Sequence, residues 1–361
     1  MRSSLLVLFK LKKQFILYSF GAILYFVPTF AFASPHANDR PFTIALLPDT
    51  QYYKKYSGTS RLHIFESQTR WIADNMIGEN IILTIHLGDI VDISTDSLWL
   101  SALKSLNFID GLMPFILTAG NHDILELKNK ETSTYEKSYQ LFEKHFTEEK
   151  FKKLPWYGGT FEKGTIKNSF YFFNLGGVDY LILTLEYGPR DKVLDWANKI
   201  IKNFPTKKTI IVTHAYMAKG PVRLAPGAKH SPKIKGVPFE AKEYKYSERE
   251  GWANGGNVIW EKLVKNHPNI EFVFSGHSGG PGKLISKGVH GNPVFQVGAN
   301  YQWEENGGNG YLRLMKFYPQ KKQVTVKTYS PLLDHFRTDF ENNFQIDLEK
   351  GNFSPINSSL K

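Results

Sequence analysis

Five apolar runs of strand length, each closed by a polar group able to bind a cation, constrain this chain more than any other feature. They are "PFTIALLPDT" (41–50), "NIILTIHLGDI" (80–90), "MPFILTAGNHD" (113–123), "KTIIVTHAY" (208–216) and "IEFVFSGHSGG" (270–280). A short run that is apolar on both faces reads as a strand buried on both faces, which is the signature of a parallel sheet under helices. The stretches between the first three runs are helical in period. Leu62, Phe65, Thr69, Ile72 and Met76 recur at three-to-four spacing, and so do Leu98, Ala102, Leu106 and Ile109. The order is β-α-β-α-β, then mixed, then rich in strands, which predicts an α/β architecture in one domain.

Further elements follow from the same reading. Helices are predicted over 134–146, 190–203 and 257–266. Strands are predicted over 168–177 and 178–186 around Gly176-Gly177, and near 293–298, 310–318 and 323–329. Residues 217–250 show no period and carry several Gly, Pro and Lys; a stretch of that length inside a domain reads as a functional loop or lid. The domain is placed at 40–330, with 331–361 as a C-terminal tail.

The first 33 residues read as an export signal: basic residues up to Lys13, an apolar run from Phe15 to Phe32, and the small-x-small pattern Ala31, Phe32, Ala33. The expectation is cleavage after Ala33 and a periplasmic or secreted protein; the rival reading is an uncleaved membrane anchor. The sequence contains no Cys. Disulfides, a thiolate nucleophile and a Cys-zinc site are therefore excluded. A hydrophobic content of 42% excludes a mostly disordered chain. Formal net charge is +11, of which Arg2, Lys10, Lys12 and Lys13 supply +4. The remaining mild excess suits anionic substrates but does not ask for nucleic acid.

The polar strand ends carry the chemistry. In open α/β sheets, ligands bind beyond the carboxyl ends of the strands, so Asp49-Thr50-Gln51, Gly88-Asp89 with Asp92, Gly120-Asn121-His122-Asp123, His214 and Gly276-His277 can converge on one point. Asp, Asn, Gln and His are the donors that hold divalent cations. Taken singly, each has an ordinary explanation, such as a helix cap or a core histidine. Taken in order, Asp-x-Gln, Gly-Asp-x-x-Asp, Gly-Asn-His-Asp, His and Gly-His resemble the calcineurin-like metallophosphoesterases over roughly 42–280. The chain is also similar to an exported bacterial-type subgroup that opens on "DTQYY".

The resemblance implies an αββα sandwich: two mixed β-sheets flanked by helices. It implies two divalent metal ions (Mn²⁺, Mg²⁺, Fe or Zn²⁺) bridged by Asp89, one of them also held by Asn121, His214 and His277. The other would take Asp49 and Asp89. That site departs from the family pattern, because Gln51 and Gly279 stand where the family has histidines. It is oxygen-rich and expected to be weak, and it suits a hard cation. Asn300, Tyr301 and Gln302 follow a predicted strand and could compensate.

In this reading His122 protonates the leaving oxygen or stabilises charge on the phosphoryl group, and Asp92 orients it; the other explanation of Asp92 is a carboxylate favoured at a helix start. No Arg follows Asp92, which speaks against a phosphoprotein phosphatase. The function implied is hydrolysis of phosphate mono- or diesters by metal-activated water. The expected partner is a small phosphate ester or a phosphorylated envelope polymer, with membrane contact only through a retained N-terminal segment. The alternative is a non-catalytic envelope glycan- or phosphate-binding protein on a partly decayed scaffold. His86 reads as structural, His63 as solvated, and His230 as part of a basic loop. Trp252, Trp260, Tyr301 and Trp303 read mainly as core, with a stacking wall for a base or sugar as the other reading.

Overall fold

The computed structural model describes residues 40–53, 60–128, 135–224 and 254–356. The export signal, Trp252, His230 and residues 225–250 of the expected loop lie outside them.

The chain opens with β1 (Phe42–Leu47), α1 (Leu62–Asn75), β2 (Ile81–His86), α2 (Asp96–Leu106) and β3 (Phe115–Leu117). Next come β4 (Leu125–Lys128), β5 (Tyr135–Ser138), α3 (Gln140–His145), α4 (Glu148–Phe151) and β6 (Tyr157–Thr160). Then follow β7 (Ser169–Leu175), β8 (Val178–Leu185), α5 (Asp191–Asn203), β9 (Lys208–Thr213), α6 (Gly256–Lys262), β10 (Ile270–Ser275), β11 (Gly282–Lys287) and β12 (Pro293–Gly298). The last strands are β13 (Leu312–Tyr318), β14 (Gln323–Ser330), β15 (His335–Phe336), β16 (Asn343–Asp347) and β17 (Asn352–Ser354).

Two mixed sheets result. One runs β17-β16-β14-β13-β1-β2-β3, with β15 paired to β14; the other runs β11-β12-β10-β9-β8-β7-β6. In the first, β1, β2 and β3 are parallel. In the second, β8, β9, β10 and β12 are parallel. The sheets pack face to face, as the Phe272 and Phe317 rings show at 5.6 Å.

Alternation along the second sheet reveals its two buried faces. Ile182, Ile210, Val212, Phe272 and Phe274 join the core shared with the first sheet. Leu181, Leu183, Ile211 and Val273 face a second core with Val193, Leu194 and Ile201 of α5 and Ile259 of α6. On the first sheet α1 covers the outside, with Trp71 against Tyr329 at 4.9 Å and Gln68 Nε2 donating to Tyr311 O at 2.9 Å. This is the expected α/β sandwich, helices outside and sheets within. Each fully buried Phe or Ile of these cores contributes about 1.5–3 kcal/mol.

The β7–β8 hairpin turns on Gly176 and Gly177, with φ of 57° and 80°, and Leu175 pairs Val178 across it. Positive φ at both turn positions matches the twist of the flanking strands. Three expectations change. The predicted helix at 134–146 is β5 followed by α3, because residues 135–138 pair antiparallel with β4. The predicted helix at 257–266 stops at Lys262 and ends in a 3-10 turn, Val264–Asn266. The expected tail at 331–361 carries β15, β16 and β17, so the first sheet continues past residue 330; Phe344 and Ile346 of β16 are fully buried.

Candidate metal centre

The carboxyl ends of β1, β2, β3, β9 and β10 meet, and the end of β12 joins them. Backbone hydrogen bonds lace the connecting loops. Thr50 N and Gln51 N both donate to Asp89 O, at 3.0 and 2.9 Å, and Gly276 N donates to His214 O at 2.9 Å. The carboxylate of Asp123 is fully buried and accepts from Ile90 N at 2.8 Å, Val91 N at 3.1 Å and Gly120 N at 2.8 Å. It therefore ties the loop after β2 to the loop after β3.

The side chains expected to hold cations gather within this lattice. Asp89, His214 and His277 each offer an atom within 4.8 Å of the others. His214 Nε2 lies 3.2 Å from Asp89 Oδ2, 4.0 Å from Asp49 Oδ2 and 3.3 Å from His277 Nδ1. The other ring nitrogen, His214 Nδ1, donates to Leu87 O at 2.7 Å, which fixes the ring and leaves Nε2 for a cation. Asp49 accepts from His277 N at 3.1 Å and from Asn300 Nδ2 at 2.8 Å. Asp89 Oδ1 accepts from His122 N at 2.9 Å. Asn121, just before it, has a buried Oδ1 with no hydrogen-bond partner.

Two buried carboxylates and two facing imidazoles, with the orphaned carbonyl oxygen of Asn121 one residue from the N–H that binds Asp89, form a donor set that fits a divalent cation. Asp89 and His277 also hold left-handed backbone, at φ 53° and 67°. Such strain costs about 1–2 kcal/mol per residue and collects at functional sites.

The electrostatics agree. Burial works against charge on His214, but Asp89 and then Asp49 outweigh it and raise its pKa to about 9. Burial raises the Asp49 carboxyl well above the usual range; His214 opposes this and Asp89 adds to it. Burial also pushes Asp89 up, yet His214 and His122 together hold it below the ordinary carboxylate value. His277 falls to about 3 through burial and the neighbouring His214. A proton on His214 would stand where a divalent ion would bring positive charge, and binding such an ion would displace it.

His122 lies at the rim with its side chain 30% exposed. Its Nδ1 donates to the backbone carbonyl of Asp92 at 2.6 Å, whereas the Asp92 carboxylate is 3.8 Å away. The hydrogen bond to His122 is thus made by the Asp92 main chain rather than by its carboxylate. His86 is fully buried, contacts Thr50 Oγ1 at 3.1 Å and accepts from Gly88 N at 3.2 Å, the structural role expected of it. His63 is exposed, as expected.

Gln51 is buried and donates from Nε2 to Asp89 Oδ2 at 3.0 Å and to Gln302 Oε1. A Cβ on Gly279 would lie 2.7 Å from Trp303 Cδ1, so an indole stands over the position where the family pattern has its histidine. Trp260 and Tyr301 are core, but Trp303 is 61% exposed and packs edge-on to Tyr52 at 5.4 Å, which in turn packs edge-on to His122 at 6.2 Å. Neither Tyr52 nor this use of Trp303 was marked by periodicity. The first eight residues of the expected loop, 217–224, begin and end on buried Met217 and Leu224, with Met217 bridged to Arg223.

The sequence profile of the family described as calcineurin-like phosphoesterase matches residues 42–281. The chain belongs to the calcineurin-like phosphoesterase family. It is 31% identical over 316 residues to the uncharacterized protein YvnB of Bacillus subtilis (strain 168), across 84% of this chain and 21% of YvnB. This calcineurin-like chain therefore spans about a fifth of the length of the curated relative it matches. Among solved structures it is similar to purple acid phosphatase PPD1 from yellow lupin (Lupinus luteus), with TM-score 0.51 and 12% identity over 86% of this chain and 54% of that one. It is also similar to a dimetal phosphatase from Danio rerio, with TM-score 0.50 and 12% identity over 85% of this chain and 99% of that one. At these identities the structural likeness concerns the fold.

Proposed function

We propose that this chain is an exported, metal-dependent hydrolase of phosphate mono- or diesters. The observation that carries the reading is the pair Asn121 and His122. One has a buried, unpartnered carbonyl oxygen and directly precedes the His122 N–H that binds Asp89 Oδ1; the other presents a partly exposed imidazole next to the cluster of Asp89, His214 and His277. Bound divalent ions supply the charge that acidifies water and neutralises phosphoryl oxygens.

The protein's own residues do the rest. Asp49, Gln51, Asp89, Asn121, His214 and His277 hold the cations. His122, with Nδ1 bound to Asp92 O, keeps Nε2 free to protonate the leaving oxygen or to meet the phosphoryl group. A small phosphate ester or a phosphorylated envelope polymer fits this chemistry. Export rests on the basic and apolar leader and the small-x-small pattern Ala31, Phe32, Ala33.

The test is turnover of p-nitrophenyl phosphate and bis-p-nitrophenyl phosphate with Mn²⁺, Mg²⁺, Fe²⁺ or Zn²⁺. His122→Ala is expected to lower kcat by about 10²–10⁴ while leaving metal content intact. Absence of turnover by the unaltered protein with every ion would sink the reading. The rival, a non-catalytic glycan- or phosphate-binding protein, is motivated by Gln51 and by Trp303 over Gly279. It predicts one tightly held ion and no activity gained on adding more.

A further inference from the structure

Gln51 has used both of its donors and none of its acceptor. Its two Nε2 protons go to Asp89 Oδ2, at 3.0 Å, and to Gln302 Oε1. Its Oε1 is buried with no hydrogen-bond partner. Both glutamines are buried, at 1% and 6% exposure, so bulk water does not reach the unpaired oxygen. Rotating the Gln51 amide by half a turn would not help either. It would set the carbonyl oxygen against two other oxygens, Asp89 Oδ2 and Gln302 Oε1. The amide is therefore locked with its oxygen free, and Gln302 is half of the lock.

Gln302 is itself anchored to the same centre. Its backbone N donates to Asn300 Oδ1 at 2.8 Å, and Asn300 Nδ2 donates to Asp49 Oδ2 at 2.8 Å. The turn after β12 thus grips Asp49 with one residue and Gln51 with another. The Gln51 amide is bonded to buried Asp89, and buried Asp49 is held by the same turn through Asn300; a buried carbonyl oxygen left without a partner is unfavourable unless a cation meets it.

We infer that Gln302 is a positioning residue that turns the Gln51 amide so that Oε1 joins Asp49 and Asp89 on a second divalent cation. That site is all-oxygen and takes a hard ion such as Mn²⁺ or Mg²⁺ in preference to Zn²⁺. The inference rests on reading the centre as a metal site, and goes beyond it by assigning the lock to Gln302.

The test uses full-length metal-free protein titrated with Mn²⁺ or Zn²⁺, with bound ions counted by mass spectrometry and affinities read by calorimetry. The unaltered protein is expected to bind one ion tightly and a second, Mn²⁺-preferring ion more weakly. Gln302→Leu is expected to keep the tight ion and lose about 10–100-fold in affinity for the second, the usual effect of removing a residue that orients a ligand. Gln302→Glu keeps an acceptor oxygen and is expected to retain or tighten the second ion. Unchanged affinity in Gln302→Leu, or a Gln302→Glu variant weakened as much as Gln302→Leu, overturns the inference. A wild-type protein that binds a single ion overturns it too, leaving the metal reading intact. A wild-type protein that binds none fails at the earlier step, the metal centre itself.

Discussion

Gly120→Ala isolates the close approach on which the centre depends. A methyl group at Gly120 would lie 2.1 Å from Asp89 Oδ1, 2.3 Å from Asp89 N and 2.8 Å from Asp89 Cγ, where ordinary contact begins near 3.4 Å. The residue does not need positive φ; the crowding alone requires glycine. Asp89 N is main chain, so the strain cannot be relieved by a side-chain rotation. The loop after β2 must retreat by about 1 Å, and that breaks the pair of hydrogen bonds from Thr50 N and Gln51 N to Asp89 O. Overpacking costs about 1–3 kcal/mol and two lost hydrogen bonds about 1 kcal/mol each, so the fold should lose about 3–5 kcal/mol. Ligand distances tolerate only about 0.2 Å, so the tight ion should also be lost. Urea unfolding of metal-free protein measures the first effect and calorimetry the second. A Gly120→Ala protein within about 1 kcal/mol of wild type, with metal affinity unchanged, would refute the packing argument.

Restoring the histidine at Gly279 should fail unless room is made: Gly279→His alone is expected to add no ion, because Trp303 Cδ1 stands 2.7 Å from the new Cβ, whereas Gly279→His with Trp303→Ala is expected to bind Zn²⁺ more tightly than wild type. Equal metal binding by the single and double variants would contradict this. Away from the centre, His267 is nearly fully buried, and burial, then Lys202 and His290, lower its pKa to about 4. The unfolded chain takes up this proton near pH 6.5 and the folded chain does so only near pH 4, so stability is present above 6.5 and is lost as pH falls through that window. The loss is about 3 kcal/mol, read as the difference between wild type and His267→Gln in urea melts at pH 7.5 and 4.5; a difference independent of pH would contradict it.

What the sequence made legible was the parallel part of the fold. β1, β2, β9 and β10 are buried on both faces, and such strands advertise themselves as unbroken apolar runs whose ends point at the site. Short antiparallel strands leave a fainter trace. β16 does alternate, with Phe344 and Ile346 inward, but five residues at the end of a polar stretch are easily taken for a tail. β5 lies in a stretch of helix-compatible residues, and only its pairing with β4 makes it a strand.

The site followed the same division. The Asp, Asn and His residues could be read from their order along the chain. Asn300 and Gln302 were marked only as residues able to reach the centre, because the contact joins positions 251 apart and depends on β12 lying parallel beside β10. The Asp92 contact was foreseen as a carboxylate and is closest through a carbonyl, a difference of main-chain direction that spacing does not encode. Trp303 reads mainly as core, with a stacking wall as the other reading, because aromatic content carries no information about which ring meets solvent.

The most direct measurement is anomalous diffraction from crystals of the Mn²⁺-loaded protein, collected on either side of the manganese edge. The account predicts a peak bound by Asp89, Asn121 Oδ1, His214 Nε2 and His277, with ligand distances of about 2.0–2.3 Å, and its loss in His214→Ala. Loaded crystals with no peak among those four side chains would contradict the metal centre.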